Sequence, residues 1–548
     1  MKRLLTLLLC VMTALGCFSF AQAEEEKTHL SLWIPMDMRI VDYKTNWMTK
    51  WLEENGNFDL EFILQPSGND YTTKVNMALT AGKISDLPDI IIGASSFSDA
   101  NVQVWAENGY IVPLTKYYND PELSRNIREA YDRAGFDFTG QITSPNGEIY
   151  GFAFLNQSYY NEHTAKMWIY TPWLEKLNLQ MPTTPDELYE VLKAVVNGDP
   201  NGNGKADEMG LCGTFGSAVN YDNWFEYVMN AYVYAGDEQY RTVNDGVVGL
   251  AYTTEEWKEG LKFLNKLYNE RLLEPESLTM NKAVCDSLYN TEDVTAFTIS
   301  YAAPDPVNNI EVQSGYDHML PLVGPKGLQV ASYRPSVAGI QMVVTANCKD
   351  VEGAFRLGDL MSNELIGISQ RFGAQGIDWD YARDVKGADA YTTQVPGWEM
   401  SIVTYHDGEF WGGSQAGNSS WRQKGPMVRQ YAIANGLAFD PEAIDVPAQK
   451  LAKAAVAYQT GGFNPAEVIP KIILTEEEID QVTEIESNLL SYVREMSAAF
   501  IAGTADIDAK WDSFQSELKA IGSETYVEVM QNAYDRMYKN KSLPSQKP

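Results

Sequence analysis

Between residues 30 and 92 the chain alternates short apolar runs with amphipathic helical segments. Leu30–Ile34 and Asn57–Gln65 have the composition of strands, and Tyr43–Asn55 between them has helical spacing. A second helical segment runs from Tyr71 to Gly82, and the apolar run Ile90–Ile92 follows it. Repeated strand–helix–strand order is typical of a mostly parallel sheet covered by helices. We therefore predict an α/β fold.

Residues 199–208 (DPNGNGKADE) carry side-chain oxygens at alternating positions. Asp199, Asn201 and Asn203 alternate, and Asp207 follows them. This spacing matches positions 1, 3, 5 and 9 of an EF-hand loop, and the backbone carbonyl of Lys205 suits position 7. Glycines at the intervening positions allow tight turns. The segment predicts a structural calcium loop with no catalytic role.

One position of this loop departs from the EF-hand template. Position 12 is Gly210, so the bidentate glutamate is absent there and Glu208 is the nearest replacement. A polar turn after a helix is the alternative, because Asn–Gly pairs mark turns without any metal. The preceding helix is well specified, since Thr184 can cap it, Pro185 suits its first position and Glu187 completes a capping box.

The amino terminus has the pattern of a secretory signal peptide. Lys2 and Arg3 precede an apolar run, and Ala21–Ala23 offers a small-residue cleavage site, so we predict a signal peptide over residues 1–23. The alternative is a lipobox ending at Cys17, which would be lipidated after cleavage and would anchor the protein to a membrane. Either way, we expect an extracytoplasmic protein, in the periplasm or at the cell surface.

The amino-acid composition limits the kinds of molecule that this protein is expected to bind. The 548-residue chain carries a formal net charge of −32, which disfavours binding to nucleic acid or to an anionic membrane surface. Neutral or cationic ligands suit such a chain, and an anionic ligand would need a local basic pocket. Beyond the signal region, Cys212, Cys285 and Cys348 form no disulfide framework, although one pair could still form. The length suits two large domains.

The carboxyl-terminal region has a different character. Thr475 and Glu478 form a second capping box, and apolar residues at helical spacing follow it. Two further amphipathic segments begin near Trp511 and Tyr526. We therefore predict an all-helical extension from residue 475 onward.

Several segments, in a fixed order, resemble a known family, the extracellular solute-binding proteins of ABC importers, family 1. The similarity is greatest to the alginate-oligosaccharide-binding and LipO-like branch, and it covers nearly all of the predicted mature chain. The segments that carry it are Tyr71–Ile92 with its Asp-Leu-Pro-Asp-Ile-Ile end, Asn108–Leu114, Asn146–Phe152, Trp168–Leu177, Gly324–Gly327, Gly373–Trp379 and Phe500–Gly503.

The resemblance implies a type II periplasmic-binding-protein-like fold, in which two α/β lobes close on a ligand by a hinge of crossing strands. With crossovers near 147–154, 297–304 and 335–340, lobe 1 would be 24–150 plus 297–335, and lobe 2 would be 151–296 plus 336–548. The same resemblance implies a structural Ca²⁺. The ligands that it nominates are Asp199, Asn201, Asn203, Lys205 through its backbone, Asp207 and Glu208.

The function that the resemblance implies is that of a substrate-binding subunit, which binds an oligosaccharide or modified sugar and delivers it to an ABC permease. We expect a monomer. An extracellular glycan-active enzyme and a ligand-presenting surface sensor are the alternatives. Asp378 and Asp380 flank Trp379 and could suggest a carboxylate pair, but we expect no catalysis because no catalytic constellation accompanies them.

Sugar sites combine aromatic platforms with polar groups in a concave surface. Aromatic and polar residues at predicted loop ends are the candidates for the cleft, although core packing is the alternative for every tryptophan. These candidates are Trp33, Trp224, Tyr301, Arg334, Trp379, Asp380, Trp398 and Trp411. For Arg334, an ordinary ion pair is the alternative to ligand binding.

Overall fold

The structure is a computed structural model, and it describes residues 26–93, 97–163, 165–216, 223–291, 297–300, 303–304, 306–393, 395, 398–405, 417–439 and 446–539. The predicted signal peptide (1–23) and Cys17 lie outside these residues, as do Tyr301 and Trp411. Within the described ranges, none of the helices has the length and apolar character needed to span a membrane.

The strands and helices alternate through most of the described chain. The strands are β1 (Thr28–Pro35), β2 (Phe58–Gln65), β3 (Ile90–Ile92), β4 (Gly151–Asn156), β5 (Met167–Tyr170), β6 (Arg241–Asn244), β7 (Val247–Leu250), β8 (Thr298–Ser300), β9 (Tyr316–His318), β10 (Gly339–Val344), β11 (Trp379–Tyr381), β12 (Thr392–Thr393), β13 (Ile402–Thr404), β14 (Met427–Arg429) and β15 (Leu437–Phe439). The helices are α1 (Trp47–Gly56), α2 (Asn69–Ala81), α3 (Asp99–Glu107), α4 (Thr115–Tyr118), α5 (Arg125–Ala134), α6 (Tyr159–Glu162), α7 (Thr171–Lys176), α8 (Pro185–Val196), α9 (Asn223–Met229), α10 (Glu255–Asn269), α11 (Lys282–Leu288), α12 (Ile310–Gly315), α13 (Val351–Met361), α14 (Glu364–Phe372), α15 (Tyr431–Asn435), α16 (Val446–Thr460), α17 (Glu476–Ile501), α18 (Ile507–Ile521) and α19 (Ser523–Tyr538).

The first lobe is built on a sheet whose described strands run in the order β14-β4-β10-β3-β1-β2. β1 pairs in parallel with β2 and β3, β4 pairs in parallel with β14, and β10 is antiparallel to both β3 and β4. The predicted α/β class and the first three predicted strands are confirmed. Because β1, β3, β4 and β14 share one direction, their carboxyl ends meet at one edge of the sheet, beside the amino end of β10.

The second lobe has a smaller sheet, β8-β5-β9, a hairpin of β6 and β7, and a large helical core. Helix α8 begins as predicted, with the Thr184 hydroxyl accepting from the Glu187 amide at 3.2 Å. Helices α17 and α18 pack onto α10, and their side chains Leu489, Phe500, Trp511 and Phe514 are buried. Helix α19 packs onto α17 and β7. The predicted helical extension is confirmed, and the capping box at Thr475 is present.

The pairing of strands differs from the predicted division of the chain. β8 and β9 both pair with β5, so residues 298–318 belong to the second lobe, whereas 297–335 was expected in lobe 1. β10 and β14 lie in the first sheet, although 336–548 was expected in lobe 2. The pairing of Met167 with Ser300 places β8 beside β5 in the second lobe, where the sequence predicted a crossing between lobes.

The chain passes between the lobes at three other places. β4 leads to β5 through residues 157–166, β9 leads to β10 through 319–338, and the chain after β14 reaches α16, which packs beside β9. A small sheet of β11, β13, β15 and β12 lies next to α14, where Ile368, Trp379, Ile402 and Ile433 form a separate apolar cluster.

Candidate ligand-binding cleft

The connections between the lobes converge at the carboxyl edge of the first sheet. Arg429, at the end of β14, donates from Nε to Asn156 Oδ1 at 2.7 Å, and its carbonyl accepts from the Gln157 amide at 2.9 Å. Ser336 Oγ donates to the Asn156 carbonyl at 3.3 Å. Residues from three distant parts of the sequence are therefore tied together there. In open α/β sheets, ligands bind outside this strand edge.

A cavity of about 540 Å³ opens at this edge. This size lies within the usual range for small-molecule sites. Apolar and amide side chains line part of it, and four cationic side chains line the rest. The lining residues are Arg39, Phe97, Phe154, Val337, Ala338, Gly339, Ile340, Gln341, Arg422, Gln423, Lys424 and Lys471.

Asp37 organises the cations on the first-lobe side of the cavity. Arg39 binds its carboxylate through two hydrogen bonds, Nε to Oδ1 at 2.9 Å and Nη2 to Oδ2 at 2.7 Å. Lys424 Nζ lies 3.3 Å from the same Oδ2. The hydrogen bonds from Arg39 hold the pKa of Asp37 well below its usual range, so Asp37 is ionised. One buried carboxylate is thus shared by two cations.

The backbone at Arg422 and Gln423 is unusual. Both residues have positive φ, at 51° and 60°, a conformation that residues with side chains adopt rarely. The Arg422 amide donates to Ser420 Oγ at 3.2 Å, and the Gln423 amide donates to the Gln370 carbonyl at 3.0 Å, which holds the turn. Such strain concentrates at binding sites. It places both side chains in the wall of the cavity.

An aromatic cluster lies beside the crossing segments. The Tyr159 ring is 5.5 Å from Trp398, edge to face, and 5.5 Å from Tyr431. Buried Glu162 accepts from Ser336 Oγ at 3.0 Å and from the Tyr431 hydroxyl, and burial raises the pKa of its carboxyl. Trp398 is partly exposed, so this predicted cleft residue can offer a face to a sugar ring.

Two of the predicted cleft tryptophans lie in cores instead. Trp224 is fully buried in the second lobe, and its Nε1 donates to the Thr214 carbonyl at 2.6 Å. Trp379 is fully buried against α14, and its Nε1 donates to the Gly373 carbonyl at 2.9 Å. With the ring packed and the indole N–H bonded to backbone, neither side chain can serve as a ligand platform.

The remaining predicted residues have other surroundings. Arg334 Nη2 donates to Glu226 Oε1 at 3.0 Å, and Nε donates to the Gly236 carbonyl at 3.2 Å, so the ion-pair alternative describes its present contacts. Trp33 is half-buried on β1, with Lys74 Nζ 5.5 Å from its ring. Asp380 accepts from the exposed Tyr405 hydroxyl at 2.8 Å in the small sheet.

The sequence interpretation missed the cationic side chains of the cavity. Arg39 lies four residues after the end of β1, so a search of the residues after each predicted strand could have found it. No local signal marks Arg422, Lys424 or Lys471, because only the tertiary fold brings them to the same edge.

The predicted calcium loop has an ordered set of turns. The Asp199 carboxylate accepts from the Gly202 and Gly204 amides at 2.8 and 3.1 Å, and Asn203 Oδ1 accepts from the Lys205 amide at 2.8 Å. Asp207 accepts from the Asn201 and Asn203 side-chain amides, both at 2.9 Å. The bond from Asn203 lowers the pKa of Asp207. Backbone amides therefore hold the side-chain oxygens of Asp199 and Asn203, and side-chain amides hold those of Asp207.

Glu208 is the residue of this loop whose surroundings most favour a bound cation. Its side chain is buried, and neither carboxylate oxygen has a hydrogen-bond partner among the residues that the structure describes. A buried carboxylate without a partner is strongly unfavourable unless a cation neutralises it. Across the described part of the chain, no three His, Cys, Asp or Glu side chains gather into a metal site. Metal ligation here would therefore also need the oxygens of Asn201, Asn203 and Lys205.

No family model matches the chain. The fructooligosaccharide ABC transporter substrate-binding protein FusA of Streptococcus pneumoniae serotype 4 is 25% identical to it over 486 residues, which cover 86% of this chain and 84% of FusA. Lipoprotein LipO of Bacillus subtilis is 28% identical over 215 residues, which are 39% of each protein.

Solved structures match over most of the length. FusA of S. pneumoniae in complex with kestose has a TM-score of 0.69 and 22% identity, and an EF-hand mutant of FusA with fructo-nystose has 0.68 and 22%; both comparisons cover 94% of this chain and 100% of the other. An HMO-binding solute-binding protein of Bifidobacterium longum infantis has a TM-score of 0.75 and 21% identity over the same shares. The chain is therefore similar over most of its length to a substrate-binding protein of an ABC transporter, and it shares the two-lobed fold of the solved solute-binding proteins.

Proposed function

We propose that the protein is the extracytoplasmic substrate-binding subunit of an ABC importer, with an oligosaccharide or modified sugar as its ligand. The observation that carries the proposal is the 540 Å³ cavity at the strand edge, with walls from both lobes. FusA, which matches most of the chain, is named as a fructooligosaccharide-binding protein, and the Bifidobacterium neighbour as HMO-binding. These names support a saccharide as the class of ligand.

The mechanism follows from the way the cleft is built. Each of the three connections can bend at its crossing segment while the two cores stay intact. A ligand that contacts both lobes favours the closed state only by as much as it binds that state more tightly. The closed, liganded protein would then dock on a permease, and a monomer suffices for this cycle. The predicted signal peptide supports an extracytoplasmic location, with lipidation at Cys17 as the alternative to release.

We also propose a structural Ca²⁺ in the 199–208 loop. The buried Glu208 carboxylate, which has no hydrogen-bond partner among the described residues, supports it, as do the closely spaced side-chain oxygens of Asp199, Asn201, Asn203 and Asp207 and the EF-hand that the FusA structure names. The ion would supply charge neutralisation to the loop after α8 and take no part in ligand chemistry. The loop follows α8 in the second lobe, whereas the cavity lies at the edge of the first sheet.

A thermal-shift screen over a glycan library tests the saccharide function. Binding to the folded state raises the melting temperature by an amount that grows with ligand concentration over Kd. Hits would be confirmed by titration calorimetry, and the recovered sugar would be analysed by mass spectrometry. A chemically unchanged sugar is expected. Cleaved products would favour the glycan-active enzyme instead, and the absence of any shift with all saccharides would contradict the proposed ligand class.

A further inference from the structure

We propose that Cys212 and Cys285 form a disulfide bond in the extracytoplasmic protein, and that this bond ties helix α11 to the sheet of the second lobe. The inference goes beyond ligand binding. It depends on the proposed extracytoplasmic location, because disulfides form and persist in oxidising compartments. Three cysteines follow the predicted signal peptide, and the structure shows which two of them come together.

One apolar cluster contains both cysteines. Cys212 is fully buried and Cys285 is 3% exposed, in a cluster to which α11 and the sheet of β8, β5 and β9 both contribute. Trp168 and Tyr316 are among its members from the sheet. Cys348 belongs instead to the apolar core of the first lobe. Folding therefore brings Cys212 and Cys285 into the same cluster and keeps Cys348 in a different one.

Hydrogen bonds fix the two segments against each other. Tyr289 follows Cys285 by four residues, so both side chains lie on the same side of α11. The Tyr289 hydroxyl donates to the Cys212 carbonyl at 3.3 Å. The Cys212 amide donates to Thr298 Oγ1 of β8 at 3.2 Å. Cys212 is therefore attached to the sheet, and the side of α11 that carries Cys285 faces it.

The two side chains are in direct contact. Both are free thiols in the structure, and the Cys212 thiol is hydrogen-bonded to Cys285. This bond lowers the pKa of Cys285 and raises that of Cys212, so Cys285 becomes the thiolate first. A disulfide has an S–S distance of about 2.05 Å. Thiols that already form a hydrogen bond reach it by a small shift of α11, whose outer residues, such as Val284, are exposed.

Oxidation needs a disulfide-bearing oxidant outside the cytoplasm. The Cys285 thiolate attacks one sulfur of this oxidant, forms a mixed disulfide and releases one oxidant thiol. Cys212 then loses its proton and attacks the Cys285 sulfur, which releases the second oxidant thiol. The two protein thiols lose two electrons and two protons in total, and the oxidant disulfide is reduced to two thiols. Because both sulfur atoms are buried, the first attack takes place before α11 packs or during its local opening.

Thiol trapping in the native protein tests the inference. The full chain would be expressed with its own amino terminus, and the extracytoplasmic fraction would be alkylated with iodoacetamide in denaturant before any reduction. We expect alkylated Cys348, together with a cross-linked peptide pair that contains Cys212 and Cys285 and weighs about 2 Da less than the two thiol peptides. Alkylation of both Cys212 and Cys285 without reduction would overturn the inference, as would a bond from either of them to Cys348.

Thermal unfolding with and without a reductant measures what the bond does. It closes a loop of about 70 residues, which restricts the unfolded chain, so the oxidised protein should melt about 5 °C above the reduced protein. The double variant Cys212→Ser/Cys285→Ser should melt at one temperature under both conditions. The matched control Cys348→Ser should retain the difference. Equal melting temperatures for the oxidised and reduced native protein would contradict a bond that holds α11 to the sheet.

Discussion

Lys471 Nζ lies 2.9 Å from Asp99 Oδ1, and this ion pair joins the two lobes at the margin of the cavity. Asp99 is the first residue of α3 in the first lobe, where the helix dipole also favours a carboxylate. Lys471 lies between Ile469 and Ile472, which pack against the core of the second lobe. Its ammonium also donates to the Ala338 carbonyl at 3.1 Å, beside the start of β10. The pair therefore links the lobes in the conformation described.

Replacement of Asp99 by asparagine should shift the lobes toward an open state. Lys471 is 15% exposed and Asp99 32% exposed, so the pair should contribute about 1 kcal/mol to the closed form, or about fivefold in the closed–open equilibrium. Small-angle scattering of the ligand-free protein should show a larger radius of gyration. Arg125→Gln, which breaks an exposed pair within α5, is the control. An unchanged scattering curve for Asp99→Asn would show that the pair does not bias closure.

Truncation of Trp398 should lower ligand affinity, whereas truncation of Trp224 should lower the stability of the fold. Trp398→Ala removes a partly exposed ring beside Tyr159, so ligand affinity should fall about tenfold or more with little change in stability. Trp224→Ala empties a fully buried site and should lower the free energy of unfolding by about 3–5 kcal/mol. Chemical denaturation and calorimetry on the folded fraction separate the two effects. Normal affinity in Trp398→Ala would remove this residue from the cleft.

Removal of calcium should destabilise the protein without abolishing binding in the folded state. Calcium at about 100 times its Kd would raise the free energy of unfolding by about 2.7 kcal/mol, and chelation should reverse that gain. Glu208→Gln should reduce the calcium-dependent shift strongly, because it neutralises the buried carboxylate. Glu190→Gln, at an exposed position on α8, is the matched control. Loss of ligand binding on chelation at unchanged stability would instead place the loop in the ligand site.

His163 should make the protein less stable as the pH falls below 6.5. Burial, and next the charge of Lys166, lowers the pKa of His163 from 6.5 to about 4. Between pH 6.5 and pH 4, His163 binds a proton in the unfolded chain but stays neutral in the folded protein. Stability present above pH 6.5 is therefore lost as the pH falls toward 4, by at most about 3 kcal/mol.

The variant His163→Gln tests this dependence, because glutamine does not titrate and can still face Gln459, which bonds His163 Nε2 at 3.1 Å. Urea denaturation from pH 4 to 7 should give a shallower slope of unfolding free energy against pH. An identical slope in His163→Gln and the native protein would contradict a neutral, buried His163.

Local patterns in the sequence were enough for the early part of the fold. β1, β2 and β3 lie where alternation and apolar runs predicted them, and Gly82 ends α2 as its C-cap. The N-cap at Thr184 and the capping box at Thr475 begin helices where predicted, although the Glu187 carboxylate accepts from Thr183 rather than from the Thr184 amide. These features depend on neighbours within a few residues, so a single sequence contains the information that specifies them.

The division into lobes was not predictable in the same way. Segment 297–335 has no composition that marks it for one sheet or the other; the pairing of β8 and β9 with β5 decides it. Trp224 and Trp379 read like binding residues because they stand among polar or glycine-rich neighbours. Their burial depends on contacts with Thr214, Gly373 and α14, and those contacts exist only in the folded chain.

Local patterns were sufficient to predict the α/β class and the helical extension, and the ordered motifs were sufficient to predict a similarity to the solute-binding proteins of ABC importers. The tertiary structure alone decided where the cleft is charged, because Asp37, Arg39, Lys424 and Lys471 come from three separate stretches of chain. Local propensity depends on a few neighbouring residues, whereas the order of strands in the sheet decides which distant residues line a binding cavity. The parallel strands place their carboxyl ends together, and residues that are hundreds of positions apart become neighbours there.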